Sequence, residues 1–349
     1  MNRREFLRIL AMSAAGAVLP VDSIKAAKET KVKSLENLKW RPRWVSHLGC
    51  IEGCLKYLKM DVSPAWLYGG TGHAFIINIH EVVCPSGPTA WNTQMLFRLG
   101  KNIGYTPSVV WALKSHTDFA RKQKRAWETT KRAIDDGLPC YGWELDMPEF
   151  YLVYGYDDAG YYFSGPGCDS GKGPKPWKEV GDTEIGCLEM YVVKPGQAAH
   201  DARTVKEAFE FVLEHAKSPA KWIFPKYKAG LAGFDSWIHA LETGNANGLG
   251  MAYNAAVWSE CRNFAVAFLR EAKERTGGKL SSVFDQAIEH YEVVAGHLKK
   301  VADTFPFHDR KPEHIKDETR CHTAIESLRA ARNAEEAGLR VLEKIASEL

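Results

Sequence analysis

The chain has no apolar run long enough to span a bilayer. Its N-terminal run from Ile9 to Leu19 is about eleven residues, against the roughly 20 that a transmembrane helix needs. Charge of one sign is also scarce. With 46 Lys and Arg against 43 Asp and Glu, the formal net charge is +3. That leaves no electrostatic footprint for nucleic acid, and the basic stretch Arg121–Arg132 reads as a solvated helix face. The eight cysteines include no CxxC pair and suggest no disulfide framework. Most are expected as buried free thiols. Internal repeats and low-complexity segments are absent as well. None of these absences points to a cofactor.

What is present starts at the N-terminus. Arg3-Arg4-Glu5-Phe6-Leu7-Arg8 precedes the short apolar run, and Pro20 and a small-residue site ending at Ala26 follow it. Basic, apolar and small segments in that order read as a twin-arginine signal peptide over residues 1–26. The expectation is a periplasmic or extracellular protein, exported by the twin-arginine translocase and cleaved near Ala26. No cysteine lies just beyond the run, so no stable membrane anchor is expected. That route carries folded proteins, so disulfides are not required even in an oxidising compartment.

Two regions differ in character. Residues 34–195 are rich in Gly, Pro, Trp and Tyr, with short apolar runs. Strands are expected at Ala74–Ile79, Leu138–Trp143, Tyr151–Tyr156, Tyr161–Phe163 and Leu188–Val193. Helices are expected at Cys50–Lys59, Thr89–Gly100 and His116–Asp136, the last stopped by Gly137 and Pro139. Residues 199–349 carry apolar stripes at helical spacing, such as Val257, Cys261, Phe264, Phe268 and Ala272. Thr204 and Ser281 stand where N-caps are expected. The fold class is α+β, with an all-α region following the mixed one.

The stretch His47-Leu48-Gly49-Cys50-Ile51-Glu52-Gly53-Cys54 carries the sharpest chemical signal. A cysteine just after Gly at a helix start lies in the positive end of the helix dipole, which favours the thiolate. Cys54 lies one turn further in. Next come Ser63-Pro64-Ala65-Trp66-Leu67-Tyr68-Gly69-Gly70-Thr71-Gly72-His73-Ala74-Phe75, then Gly137-Leu138-Pro139-Cys140, then Tyr151-Leu152-Val153-Tyr154-Gly155-Tyr156-Asp157. Over roughly Ser46 to Pro195 this pattern resembles the N-terminal domain of the butirosin-biosynthesis protein H family. It is similar to papain-like, bacteriocin-processing-type cysteine peptidases.

The resemblance implies a papain-like α+β domain with Cys50 as nucleophile. It also implies a histidine base just before the strand that ends in Gly-Tyr-Asp. That place reads Pro148-Glu149-Phe150, with no histidine, and no glutamine precedes the cysteine as an oxyanion donor. Catalytic groups of this kind act as a unit. His47, His73 and Glu149 are therefore the candidate substitutes for the base, His80 being a poorer one.

The Gly69–His73 turn lacks the Lys-Ser/Thr ending of a phosphate loop. Its Gly70 and Thr71, with Trp143 and Tyr151, are the candidate ligand contacts. Three readings stay open. One is a non-catalytic or weakly catalytic binder of a peptide or small molecule; another is a thiol-dependent hydrolase or acyl or amide transferase using Cys50. The third is a metal-binding protein through His47, Cys50 and Cys54.

Overall fold

A computed structural model describes residues 31–276 and 278–349, so the signal-peptide assignment to residues 1–26 lies outside the described residues. The mixed region is built on an antiparallel sheet. Its strands are β1 (Lys33–Ser34), β3 (Tyr105–Leu113), β4 (Cys140–Trp143), β5 (Phe150–Tyr156), β6 (Gly160–Gly165), β7 (Cys168–Pro176) and β8 (Cys187–Pro195). Their order is β3-β8-β4-β5-β6-β7, with β1 pairing the far end of β5. The Asp157–Gly160 turn is closed by the Asp157 carboxylate, which accepts from the backbone N–H groups of Ala159 and Gly160. These are the bonds an Asx-type turn makes.

Helices cover both faces of this sheet. Tyr141 pairs with Leu152 and Tyr191 across β4, β5 and β8, which sets those side chains on one face. That face packs against α1 (Ser46–Tyr57), whose His47 ring stacks on Phe150. The opposite face carries Met190 and Val192 towards Ala126 and Thr130 of α4 (Phe119–Asp135). Between them lie α2 (Pro64–Gly70), β2 (Asn78–His80) and α3 (Met95–Ile103). Ser63 caps α2, its hydroxyl accepting from the Trp66 N–H at 2.8 Å, with Pro64 in the first turn.

After β8 the chain is mainly helical: α5 (Asp201–Lys217), α6 (Gly230–Glu242), α7 (Gly248–Thr276), α8 (Ser281–Thr304) and α9 (Glu318–Glu348), with β9 (Tyr227–Ala229) before α6. Among the described residues, no helix is long and apolar enough to cross a membrane.

The change of character after Pro195 is a change of element type, and the packing crosses it. β2 pairs antiparallel with β9. Arg262 of α7 is fully buried, bonds Glu335 of α9 through two nitrogens at 2.9 Å, and donates to the carbonyls of Ala74 and Ile76. A buried guanidinium needs this saturation, because desolvating a charge without partners costs several kcal/mol, roughly. The same bonds explain why Ala74–Ile77 is not the strand its apolar run predicts. Two of its carbonyls face Arg262, and only Asn78–His80 joins a ladder.

Two expected caps also shift. Thr204 lies inside α5, which begins at Asp201, and Ser281 is the first residue of α8 with Leu280 at the cap.

Candidate functional site

Segment 39–45 runs alongside α1 and fixes its position. Gly49 and Gly53 face that segment. A Cβ on Gly49 would stand 2.4 Å from the Arg41 carbonyl oxygen, and one on Gly53 would stand 2.6 Å from that of Lys39. The glycines therefore let backbone approach backbone; they do not start the helix. α1 begins four residues earlier than the Gly-Cys pattern suggests, at Ser46, with Val45 at the cap. This corrects the expected position of Cys50. It lies a full turn inside the helix, its side chain entirely buried, and burial pushes its thiol pKa well up, with Cys54 and Glu149 adding to the effect.

The residue at the helix start is a serine. Ser46 Oγ donates to Glu149 Oε2 at 2.6 Å and accepts from the Phe150 N–H at 3.0 Å. Glu149 enters from the loop just ahead of β5, and Tyr253 of α7 donates to its Oε1 at 2.9 Å. A second carboxylate on α7, Glu260, accepts from the Trp44 N–H at 2.9 Å and from the Tyr68 hydroxyl at 3.0 Å. Burial raises the Glu260 pKa, partly offset by those two bonds and by the charge of Arg43. Arg43 itself grips Glu52 through two nitrogens, at 2.8 and 3.2 Å.

Arg43, Ser46, Glu149, Tyr253 and Glu260 line a cleft of about 410 Å³ between the sheet region and the helices, a size that suits a small-molecule site. Trp40, Pro42 and Trp44 form one wall. Met147, Pro166 and Gly167 form another, and Tyr253 and Phe307 close it from the helical side. The rings form a cluster: Trp44 meets Phe307 edge-on at 4.8 Å between centroids and Tyr253 at 6.2 Å.

Of the four candidate catalytic residues, only Glu149 lines this cleft. His47 is buried beneath it, its Nε2 3.0 Å from the Tyr141 hydroxyl. Burial, with a smaller contribution from His73, lowers its pKa to about 3. His73 is equally buried between Tyr68 and Trp91, and neither ring nitrogen has a hydrogen-bond partner among the described residues. Burial, then the charge of His215, lowers its pKa to about 3. Both imidazoles are neutral at pH 7 and lie in the core, so neither is placed to take a proton in the cleft. His80 sits on β2, where the Val82 N–H meets its Nδ1.

The candidate ligand contacts divide. Gly70 closes α2 against Thr204 and Ile103, and the Thr71 hydroxyl donates to the Leu67 carbonyl at 2.7 Å. Both are buried packing elements, as is Trp143, whose ring meets Phe150 at 5.0 Å. Tyr151 is nearer the site. Its hydroxyl accepts from the Met147 N–H and donates to the Pro166 carbonyl, tying together two residues of the cleft wall. Among the described residues, no group of three or more His, Cys, Asp or Glu side chains is arranged to hold a metal, so His47, Cys50 and Cys54 do not converge as ligands. All eight cysteines are free thiols.

Ser46, Tyr253, Glu260 and Phe307 had no sequence signal of their own. Trp40 and Trp44, four apart and just ahead of α1, carried one in the richness of the region in tryptophan. No protein-family model and no curated protein matches the chain.

Proposed function

We propose that this is an exported binding protein of the papain-like type, whose cleft at the start of α1 takes a peptide or small molecule. The observation that carries the reading is the Ser46–Glu149 pair at the floor of a 410 Å³ cleft. A helix laid on an antiparallel sheet, with its N-terminus facing the residue before β5, is the arrangement the resemblance implies. There it expects a cysteine at the helix start and a histidine before the strand.

This chain has a hydroxyl and a carboxylate in those places. A hydroxyl is a far weaker nucleophile than a thiolate, and a carboxylate is a weaker base than the histidine expected there. Both groups do serve well to orient a polar ligand. The Cys50 reading has no such support, since the thiol reaches no cleft.

Ligand-observed NMR on the purified chain with a library of fragments and dipeptides tests the proposal, using Met147→Trp, which fills the cleft mouth, as control. The expected outcome is a set of binders lost in the variant. Binders unaffected by Met147→Trp, or none at all, would refute a cleft-based function.

A further inference from the structure

We infer that the core holds a binding site for water, a small neutral molecule that both donates and accepts hydrogen bonds, bridging His73 and His215 with the Trp222 indole N–H as a further donor. The site is separate from the cleft, since none of these three residues lines it.

The polar atoms come first. His73 and His215 are each 1% exposed. Among the described residues, neither nitrogen of His73 has a hydrogen-bond partner, nor has His215 Nε2 or the buried Trp222 Nε1. Buried groups of this kind are paired in folded proteins, with other protein atoms or with ordered water. Burial keeps both imidazoles neutral at pH 7, so each carries one N–H donor and one lone-pair acceptor.

The second observation is that these groups share their neighbours. The Trp91 ring lies edge-on to both histidines, 5.2 Å from His73 and 5.5 Å from His215 between centroids. Phe211, one turn before His215 on α5, lies 5.8 Å from His215 and 5.0 Å from Trp222. It also presses on the residue before His73, where a Cβ on Gly72 would stand 2.6 Å from its ring. That close fit leaves no slack for a larger ligand on this side. The two histidines are near enough for charge on one to act on the other.

The chemistry of the groups selects the occupant. The faces of Trp91 and Phe211 can receive an N–H, a weak contact, but they offer nothing to the lone-pair nitrogen of a neutral imidazole, which needs a donor. Water donates and accepts at once, and a buried water makes roughly three hydrogen bonds. An ion has no counter-charge here, because Arg262, whose charge acts on His215, is already matched by Glu335. A water on these groups ties the Gly72-His73 turn of the mixed region to α5 and to the turn that carries Trp222. It is a third fastening of the junction, beside the β2–β9 ladder and Arg262.

Deuterium relaxation dispersion of the solvent counts the long-lived buried waters of the purified chain. His73→Phe keeps the ring and removes both nitrogens, and it should lower the count by at least one; His215→Phe should do the same. The double variant should lose no more than the larger single loss, because the site is shared. Counts unchanged in both single variants, or losses that add in full, overturn the inference. Should the variants fail to fold, a crystal structure of the parent chain decides. The expected result is a solvent peak within about 3.2 Å of a His73 nitrogen and of His215 Nε2. Ordered rings with no peak between them, or with a molecule larger than water, overturn it.

Discussion

His47, His73 and His215 are three imidazoles kept neutral by burial, with pKa values lowered to about 3, 3 and 4. In the unfolded chain each would titrate near 6.5. Above that pH both states are neutral and these groups give no pH dependence. Below it the unfolded state binds protons that the folded state refuses. Stability is therefore lost as pH falls from about 6.5 towards 4, at up to about 1.4 kcal/mol per pH unit for each histidine. Glu144, Glu189 and Glu260, whose pKa values burial raises, act in the opposite direction. A difference between variants is therefore the clean test. Urea unfolding between pH 6 and 4.5 should show a slope shallower by about one proton in His73→Leu than in the parent chain. Coincident slopes would mean that His73 is not buried as a neutral base.

At this scale the sequence was a partial guide. It marked Glu149, because a carboxylate stands where the resemblance expects a histidine. It pointed to Cys50, because Gly-Cys resembles an activated helix start, and nothing local reveals that Gly49 and Gly53 are packing glycines facing segment 39–41. Ser46, three positions before Gly49, bears no mark of its role without the helix boundary. Tyr253 and Glu260 bond Glu149 and Trp44 across 104 and 216 residues of chain. No motif encodes such a pairing.

Among elements, α1 and segment 39–45 form the working unit, since the segment carries Trp40 and Trp44 and the helix carries Ser46. Gly49→Ala tests how tightly they fit. Helix propensity alone favours alanine by about 1 kcal/mol. The new Cβ, however, would stand 2.4 Å from the Arg41 carbonyl oxygen and 3.0 Å from the Trp40 indole nitrogen. Backbone has to move to relieve that contact, and overpacking of this kind costs about 1–3 kcal/mol. The clash wins, so chemical denaturation should show a net loss of stability, together with weaker binding in the cleft. A gain in stability would mean that the helix does not lie against the segment.

Much of the element order was legible from periodicity. β5, β6, β8 and α4 fall close to their expected places, because alternating or 3–4 spaced apolar residues bury a defined face. β3, whose run contains Pro107, was not among the expected strands, nor was the exposed β7, rich in Gly, Lys and Pro. Both gain their strand character from partners, β8 and β6, that are distant or irregular in sequence. Helix α3 starts at Met95, later than the expected Thr89, because Ser86, Trp91 and Asn92 are taken up in loop bonds to Tyr227, Pro88 and Trp222.

On the scale of the whole molecule, the mixed and helical regions are fastened by the β2–β9 ladder and by Arg262, and the cleft lies along their junction. A change in either region is thus felt at the site. Tyr253 and Glu260 sit on the same helix, α7, as Arg262, whose bonds to Glu335 and to the Ala74 and Ile76 carbonyls fix that helix against the mixed region. The papain-like reading of the first region remains a proposal supported by the helix-on-sheet arrangement and by the Gly155-Tyr156-Asp157 turn. Its central claim is local: the position at the start of α1 that lines the cleft is residue 46, and residue 50 is core.

Alkylation of Ser46→Cys by iodoacetamide, with each site read by mass spectrometry, tests that claim most directly. Both thiols are then present in one molecule, one at the helix N-terminus beside the cleft and the other, Cys50, a turn further in and buried. The account predicts that the introduced thiol is modified at least about tenfold faster than Cys50, whose rate should match those of the buried Cys54, Cys140 and Cys261. If Cys50 reacts as fast as the introduced thiol, the helix does not begin where the account sets it, and the thiol-enzyme reading returns.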